Sequence, residues 1–282
     1  MYSSGLNRIL VPARQSGLYL VEPDSGSATR LQGTGTVDSA DEGRGLLFLL
    51  DRSRRTITVA RPADGRVLSS VKTSAPGDYV RYVPATGDLW VTEPQASPSG
   101  IEIFALSQGA VPVARRLGFV VVAGGPEGLE VSSTRGSAYT HAGSEVVAID
   151  VAMRAVTARW PTGCQGTHGF PRIDERHDFV LASCAVNGGV SLLDPDDGRQ
   201  LGRYAVGGGE ALPAYSESAR HFYVRSDPGT TIATLQPSND GLVLIRQVVV
   251  PEIGHCLTAD NLGHYWTCDS QRGRILRFDD PP

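Results

Sequence analysis

The chain lacks any apolar run near the roughly 20 residues that cross a bilayer as a helix. Its longest, "LLFLL" (46–50) and "GFVVVA" (118–123), have the length of strands. A basic block or stripe is also missing. The 26 Lys and Arg and 30 Asp and Glu are spread along 282 residues, for a formal charge of −4. That excludes the electrostatic footprint of a nucleic-acid binder. No segment keeps the i, i+3, i+4 apolar spacing of a long amphipathic helix.

Catalytic and metal signatures are equally scarce. The four cysteines form no Cys-x-x-Cys, which argues against zinc-ribbon and thioredoxin chemistry. There is no Gly-x-Ser-x-Gly elbow, Walker loop, dinucleotide fingerprint or His-Glu-x-x-His. "GGG" (207–209) opens no helix, so it is not a phosphate cradle. "DPDDG" and "PSNDG" lack the ligand spacing of calcium loops and read as hairpin turns. The N-terminus does not have the charged-then-apolar layout of a signal peptide.

What is abundant is Gly (33) and Pro (18), the residues of turns. They punctuate a repeat. "GLLFLLDRSRRTITVARPADGRVLSSVKT" (45–73), "GDLWVTEPQASPSGIEIFALSQGAVPVARR" (87–116) and "HDFVLASCAVNGGVSLLDPDDGRQLGRYAVGG" (177–208) share one layout. Two short apolar strands are followed by a more polar one. Residues 8–33, 137–163 and 221–250 fit as well, and 264–280 supplies two of the three strands. A further strand precedes each set but the N-terminal one, as in "GDYVRYVPATG" (77–87) and "THGFPRIDER" (167–176). Four antiparallel strands at a period near 43 residues make the blade of a β-propeller. The fold class expected is all-β, one propeller domain over 1–282. Seven blades is the better count, with the N-terminal blade lacking its first strand and the C-terminal blade its fourth. Six blades would leave a hairpin redundant.

The repeat resembles the YVTN-type β-propeller family. "LWVTE" (89–93), "FVLASC" (179–184), "FYVRS" (222–226), "YWTCD" (265–269), "VSLLDPDDG" (190–198) and "VVAIDVAMR" (146–154) carry the likeness. The resemblance covers nearly the whole chain. It implies a propeller fold shared by binding propellers, surface-layer repeats, sugar lactonases and virginiamycin B lyase-like enzymes. Such a fold does not by itself assign an activity.

The turn between Cys256 and Cys268 centres on Leu262, so those two cysteines face each other across an antiparallel hairpin. Cys164 and Cys184 occupy a similar place in an earlier blade. The expected bridges are Cys164–Cys184 and Cys256–Cys268, which imply an oxidising compartment. The expected location is then periplasmic or secreted, with any leader already removed. Four buried free thiols in a reducing cell are the alternative.

In a propeller the first strands line the central channel. Aligning them on Val37, Val80, Leu129, Phe170, Leu212 and Leu257 places Gly35, Asp78, Glu127, His168, Glu210 and His255 at one position near the channel mouth. His168, His255, Glu127 and Glu210 offer the imidazole and carboxylate ligands that a divalent transition metal accepts. One such ion is the only cofactor expected. Candidate ligand-binding residues are Asp78 at that position, Arg81, and Glu93, His141, Arg225 and Asp269 from a second tier at the ends of the second strands, which also holds Asp51 and Asp227. His141 is the candidate acid or base. Wet channel polar groups with no ligand are the plainer reading. His177, His221 and His264 fall in turns on the opposite face and read as solvated. Trp90, Trp160 and Trp266 read as packing between sheets.

Three functions remain open. The first is an extracytoplasmic propeller that binds a small ligand, metal or protein partner at the channel mouth. The second is a metal-dependent hydrolase or lyase of the lactonase or ring-opening kind. The third is a structural surface-layer repeat. None involves nucleic acid or a membrane span.

Overall fold

The computed structural model describes residues 1–252 and 254–281. Among these residues the regular structure is strand, with no helix. The first sheet is β1 (Tyr2–Ser3), β2 (Arg8–Pro12), β3 (Leu18–Val21) and β4 (Ala28–Arg30). The second is β5 (Ser39–Gly43), β6 (Leu46–Asp51), β7 (Thr56–Ala60) and β8 (Val67–Lys72). The third is β9 (Val80–Val83), β10 (Asp88–Glu93), β11 (Gly100–Leu106) and β12 (Ala114–Val121). The fourth is β13 (Glu127–Ser132), β14 (Ser137–Ala142), β15 (Glu145–Asp150) and β16 (Ala155–Pro161). The fifth is β17 (Arg172–Asp174), β18 (Phe179–Ser183), β19 (Gly189–Leu193) and β20 (Gln200–Ala205). The sixth is β21 (Glu210–Ser216), β22 (His221–Asp227), β23 (Thr231–Ser238) and β24 (Gly241–Val249). The last is β25 (Leu257–Ala259), β26 (His264–Asp269) and β27 (Arg274–Asp279).

Every sheet is a meander in chain order. Seven such sheets in succession are the blades of a seven-bladed β-propeller, as the repeat predicts. The N-terminal blade departs from expectation. It has a first strand, β1, two residues long and paired through Tyr2↔Ile9 and Ser3↔Arg8. That strand carries too few residues for an alternation to show in the sequence. The last blade has three strands, without a fourth, as expected.

The chain divides into two compact units, Met1–Ala138 with Ile149–Thr157 and Tyr139–Ala148 with Ala158–Pro282. In the first, Phe48, Leu50, Val80, Leu89, Val91 and Phe104 form one core cluster. In the second, Leu181, Val190, Leu192, Phe222, Val224 and Leu235 form another. The middle strands β10, β18 and β19 are buried along their whole length. Sheets covered on both faces need continuous apolar strands, which is why "LLFLL" and "FVLAS" do not alternate. The outer strands β8 and β20 carry only exposed and half-buried positions, so they read as polar. Trp90, Trp160 and Trp266 are all buried, consistent with packing roles.

Register corrects one alignment. Val80 pairs with Val91, and the Asp78 N–H donates to the Thr92 carbonyl at 2.7 Å. In the second sheet Ala40 pairs with Leu49, and the Asp38 N–H donates to the Leu50 carbonyl at 2.8 Å. The counterpart of Asp78 is therefore Asp38, not Gly35. Matching Val37 to Val80 shifted that strand by three residues, because Gly33, Gly35 and Val37 belong to the link before β5.

Candidate functional site

In the second unit, His168, Glu210 and His255 converge. One donor atom from each lies within 4.8 Å of the others, the one such group of three among the described residues. The fold explains why. Each residue stands at or just before the start of a first strand: His168 before β17, Glu210 at the head of β21, and His255 before β25. His168 Nδ1 is 3.3 Å from Glu210 Oε2, and His255 Nδ1 is 3.3 Å from Glu210 Oε1. The two imidazole rings stand edge to face at 5.5 Å. His255 Nδ1 also lies 2.9 Å from Asp227 Oδ2. Asp227 ends β22 directly opposite Glu210. It belongs to the second tier in the sequence, yet its carboxylate contacts the group through His255. Glu127 begins β13 in the other unit and is not part of this group.

The backbone beneath these side chains is tightly packed. A Cβ on Gly209, the residue before Glu210, would lie 2.2 Å from the Asp227 carbonyl oxygen. Only glycine lets the two strands approach so closely. A Cβ on Gly254, before His255, would lie 2.0 Å from the Cys268 carbonyl oxygen and 2.4 Å from Arg225 Nη1.

His141 lies behind the group rather than in it. It is fully buried. Its Nδ1 lies 3.0 Å from the Gly169 carbonyl, and the Ser183 N–H donates to its Nε2 at 3.4 Å. A carbonyl only accepts, so Nδ1 carries the proton and the ring is neutral. Burial pushes its pKa down to about 4. With both nitrogens engaged, the ring holds the 168–170 segment in place.

Arg225 is likewise fully buried. Its guanidinium donates to Thr267 Oγ1, to the Cys268 carbonyl at 3.0 Å and to the Pro251 carbonyl at 2.6 Å. Desolvation lowers its pKa, against the pull of Asp227 and Asp269. Asp269 is buried and accepts from Arg274 and Arg272, which hold its pKa low.

In the first unit, Asp78 pairs with Arg52. Arg81 is nearly buried and donates to the carbonyls of Leu129 (3.1 Å) and Val80 (2.7 Å). Tyr79 is pushed up to about 12, chiefly by burial and then by Asp78 and Glu127. Glu93 is buried, accepts from Ala75 N at 3.0 Å and Ser74 Oγ at 3.1 Å, and is pushed up to about 7 by desolvation and the neighbouring Glu102. Asp51 accepts from Ser53 Oγ at 2.7 Å and Arg54 N at 2.8 Å, closing the turn after β6.

Both expected disulfides are formed, Cys164–Cys184 and Cys256–Cys268. The three turn histidines are not simply solvated. His177 Nδ1 lies 2.9 Å from Asp174, His264 Nδ1 lies 3.0 Å from Asp260, and His221 Nδ1 lies 2.9 Å from Asp280. Asp260 also accepts from Trp266 Nε1 at 2.8 Å. Single-strand periodicity gave no sign of these pairs, because the carboxylates come from other strands or from the far side of the turn. Among the described residues no helix is long and apolar enough to cross a membrane.

No protein-family model matches the chain, and no curated protein matches it. Solved structures of similar fold include hydrazine synthase of Kuenenia stuttgartiensis, at 11% identity over 94% of this chain and 89% of that one, with a TM-score of 0.76. A chain of a mitotic checkpoint complex aligns at 12% identity over 98% and 86%, with a TM-score of 0.80. The Cps50 (Swd1) β-propeller domain of Myceliophteria thermophila aligns at 11% identity over 100% and 96%, with a TM-score of 0.78. At these identities the likeness is one of fold, and it places the chain among β-propellers.

Proposed function

We propose that the protein is an extracytoplasmic, YVTN-like propeller that binds a divalent transition-metal ion through His168, Glu210 and His255, and through it a small anionic ligand. The observation that carries this reading is the convergence of the three donors within 4.8 Å. Ligands 2.0–2.2 Å from a tetrahedral ion lie about 3.3–3.6 Å apart; His168 Nδ1 and His255 Nδ1 each lie 3.3 Å from a Glu210 oxygen, the first from Oε2 and the second from Oε1. Asp227 Oδ2 lies 2.9 Å from the same His255 Nδ1, beside the three donors rather than among them. Two imidazoles with carboxylate favour zinc, manganese or a similar ion over calcium, which prefers oxygen alone. The two disulfides support an oxidising compartment, and the "LWVTE"-type strands support the YVTN likeness.

Binding is preferred to metal-dependent hydrolysis or lyase chemistry. The side chain that would serve as acid or base, His141, is enclosed with both nitrogens engaged. The test is elemental analysis and zinc titration of the purified protein, repeated for His168→Ala and His255→Ala. The expected result is one ion per chain, with affinity reduced about 10–100-fold or more in each variant. Unchanged zinc binding in both variants would remove the proposal.

A further inference from the structure

The two histidines of the group are secured differently, and the difference involves the disulfides. His168 is held at its own backbone. Its N–H donates to the Ser183 carbonyl at 3.1 Å, and its carbonyl accepts from Ser183 Oγ. On either side, the Thr167 N–H donates to the Gly143 carbonyl at 2.8 Å and the Gly169 carbonyl accepts from His141 at 3.0 Å. The nearby bridge, Cys164–Cys184, is buried at both ends.

His255 stands in the link between β24 and β25, and its side chain is about half exposed, at 52%. Upstream, the link is tied through the Pro251 carbonyl to Arg225 and through the Glu252 carbonyl to the Gly229 N–H. Downstream, the next residue is Cys256, joined covalently to Cys268, while its carbonyl accepts from Thr267 Oγ1 at 2.7 Å. Neither Cys256 nor Cys268 is fully buried. β25 is three residues long and begins only at Leu257.

We infer that the Cys256–Cys268 disulfide is a reducible catch on the ligand site: it fixes His255 beside Glu210, and a thiol reductant that opens it lets His255 leave. Thiol–disulfide exchange requires access to sulfur. A small thiol therefore meets Cys256–Cys268 before Cys164–Cys184. Its thiolate attacks one sulfur, breaks the S–S bond and expels the other protein sulfur as thiolate, giving a mixed disulfide. A second reductant thiolate attacks the reductant sulfur of that mixed disulfide and expels the remaining protein sulfur, leaving two protein thiols and one oxidised reductant, a two-electron exchange. Reduction and metal binding oppose each other through the position of His255. The inference rests on the metal-binding reading for its consequence, and on the backbone ties alone for the catch itself.

Three measurements test it. Limited reduction by glutathione, quenched by alkylation and mapped by mass spectrometry, is expected to open Cys256–Cys268 first; opening of Cys164–Cys184 first overturns the inference. Zinc titration of Cys256→Ser/Cys268→Ser is expected to show affinity at least about ten-fold weaker than the oxidised wild type, a loss of the size typical of groups that orient ligands. Using serine avoids new thiolate ligands. Affinity within about two-fold of wild type, in a variant that remains folded by circular dichroism, overturns the inference. If the wild type itself binds no zinc, the metal reading fails. Hydrogen exchange then decides the catch: the peptide carrying His255 is expected to exchange faster in the serine variant, while the peptide carrying His168 stays protected. Equal exchange at His255 in both proteins sinks it.

Discussion

His141 Nδ1 lies 3.0 Å from the carbonyl oxygen of Gly169, the residue that follows His168. The bond links the end of β14 to the segment that presents the His168 imidazole. His141→Ala would leave the Gly169 carbonyl and the Ser183 N–H without their buried partner and open a cavity. The expected destabilisation is roughly 2–4 kcal/mol, measured by urea unfolding. Zinc affinity should fall about ten-fold although His141 touches no ion.

The same side chain sets an acid limit. Burial lowers its pKa to about 4 from an ordinary 6.5. Between these values the unfolded chain binds a proton that the folded chain refuses, so stability rises with pH. The contribution is fully present above pH 6.5 and is lost as the pH falls toward 4. Its size is roughly 3 kcal/mol. Urea unfolding at pH 4.5 and 7.5 should show this slope in the wild type and a shallower one in His141→Gln, which does not titrate.

Glu93 works in the opposite sense. Its pKa is pushed up to about 7 by desolvation, with Glu102 beside it. The folded chain keeps a proton that the unfolded chain releases above about 4.5. The associated stability is present below that value and lost as the pH rises through 7. Glu93→Gln replaces the protonated carboxyl by a neutral amide. It should raise the melting temperature at pH 8 and change it little at pH 5, as followed by differential scanning calorimetry.

The blades were legible because their signal is local and repeated. "LLFLL" and "FVLASC" announce buried central strands, and Gly, Asp and Pro mark the turns between them. The cysteine pairing was legible because Cys256 and Cys268 are equidistant from Leu262. β1 was not, since two residues carry no period. The site was half legible. His168, Glu210 and His255 follow from aligning first strands. Asp227 requires the register of β21 with β22. Residue type suggested ligand roles for Arg225 and His141, and the structure shows both buried with hydrogen bonds to backbone groups: the sequence shows that a polar group lies near a strand end, not whether its hydrogen bonds are taken by the backbone.

Arg225 gives the sharpest test of that distinction. Its guanidinium holds the Pro251 carbonyl at 2.6 Å and the Cys268 carbonyl at 3.0 Å, on either side of His255 in the chain. Arg225→Met keeps most of the volume and removes every donor. The two carbonyls and Thr267 Oγ1 lose a charged partner, and hydrogen bonds to charged groups contribute about 1.5–3 kcal/mol each. The expected net loss is about 3–5 kcal/mol after relaxation, read from chemical unfolding. Arg225→Lys should recover only part of it, because an ammonium cannot span acceptors that the planar fork reaches together. If Arg225 instead bound an anionic ligand directly, Arg225→Met would leave both stability and zinc affinity near wild type. Comparing unfolding with zinc titration separates the two outcomes, since a scaffold role lowers both while a direct anion-binding role spares both.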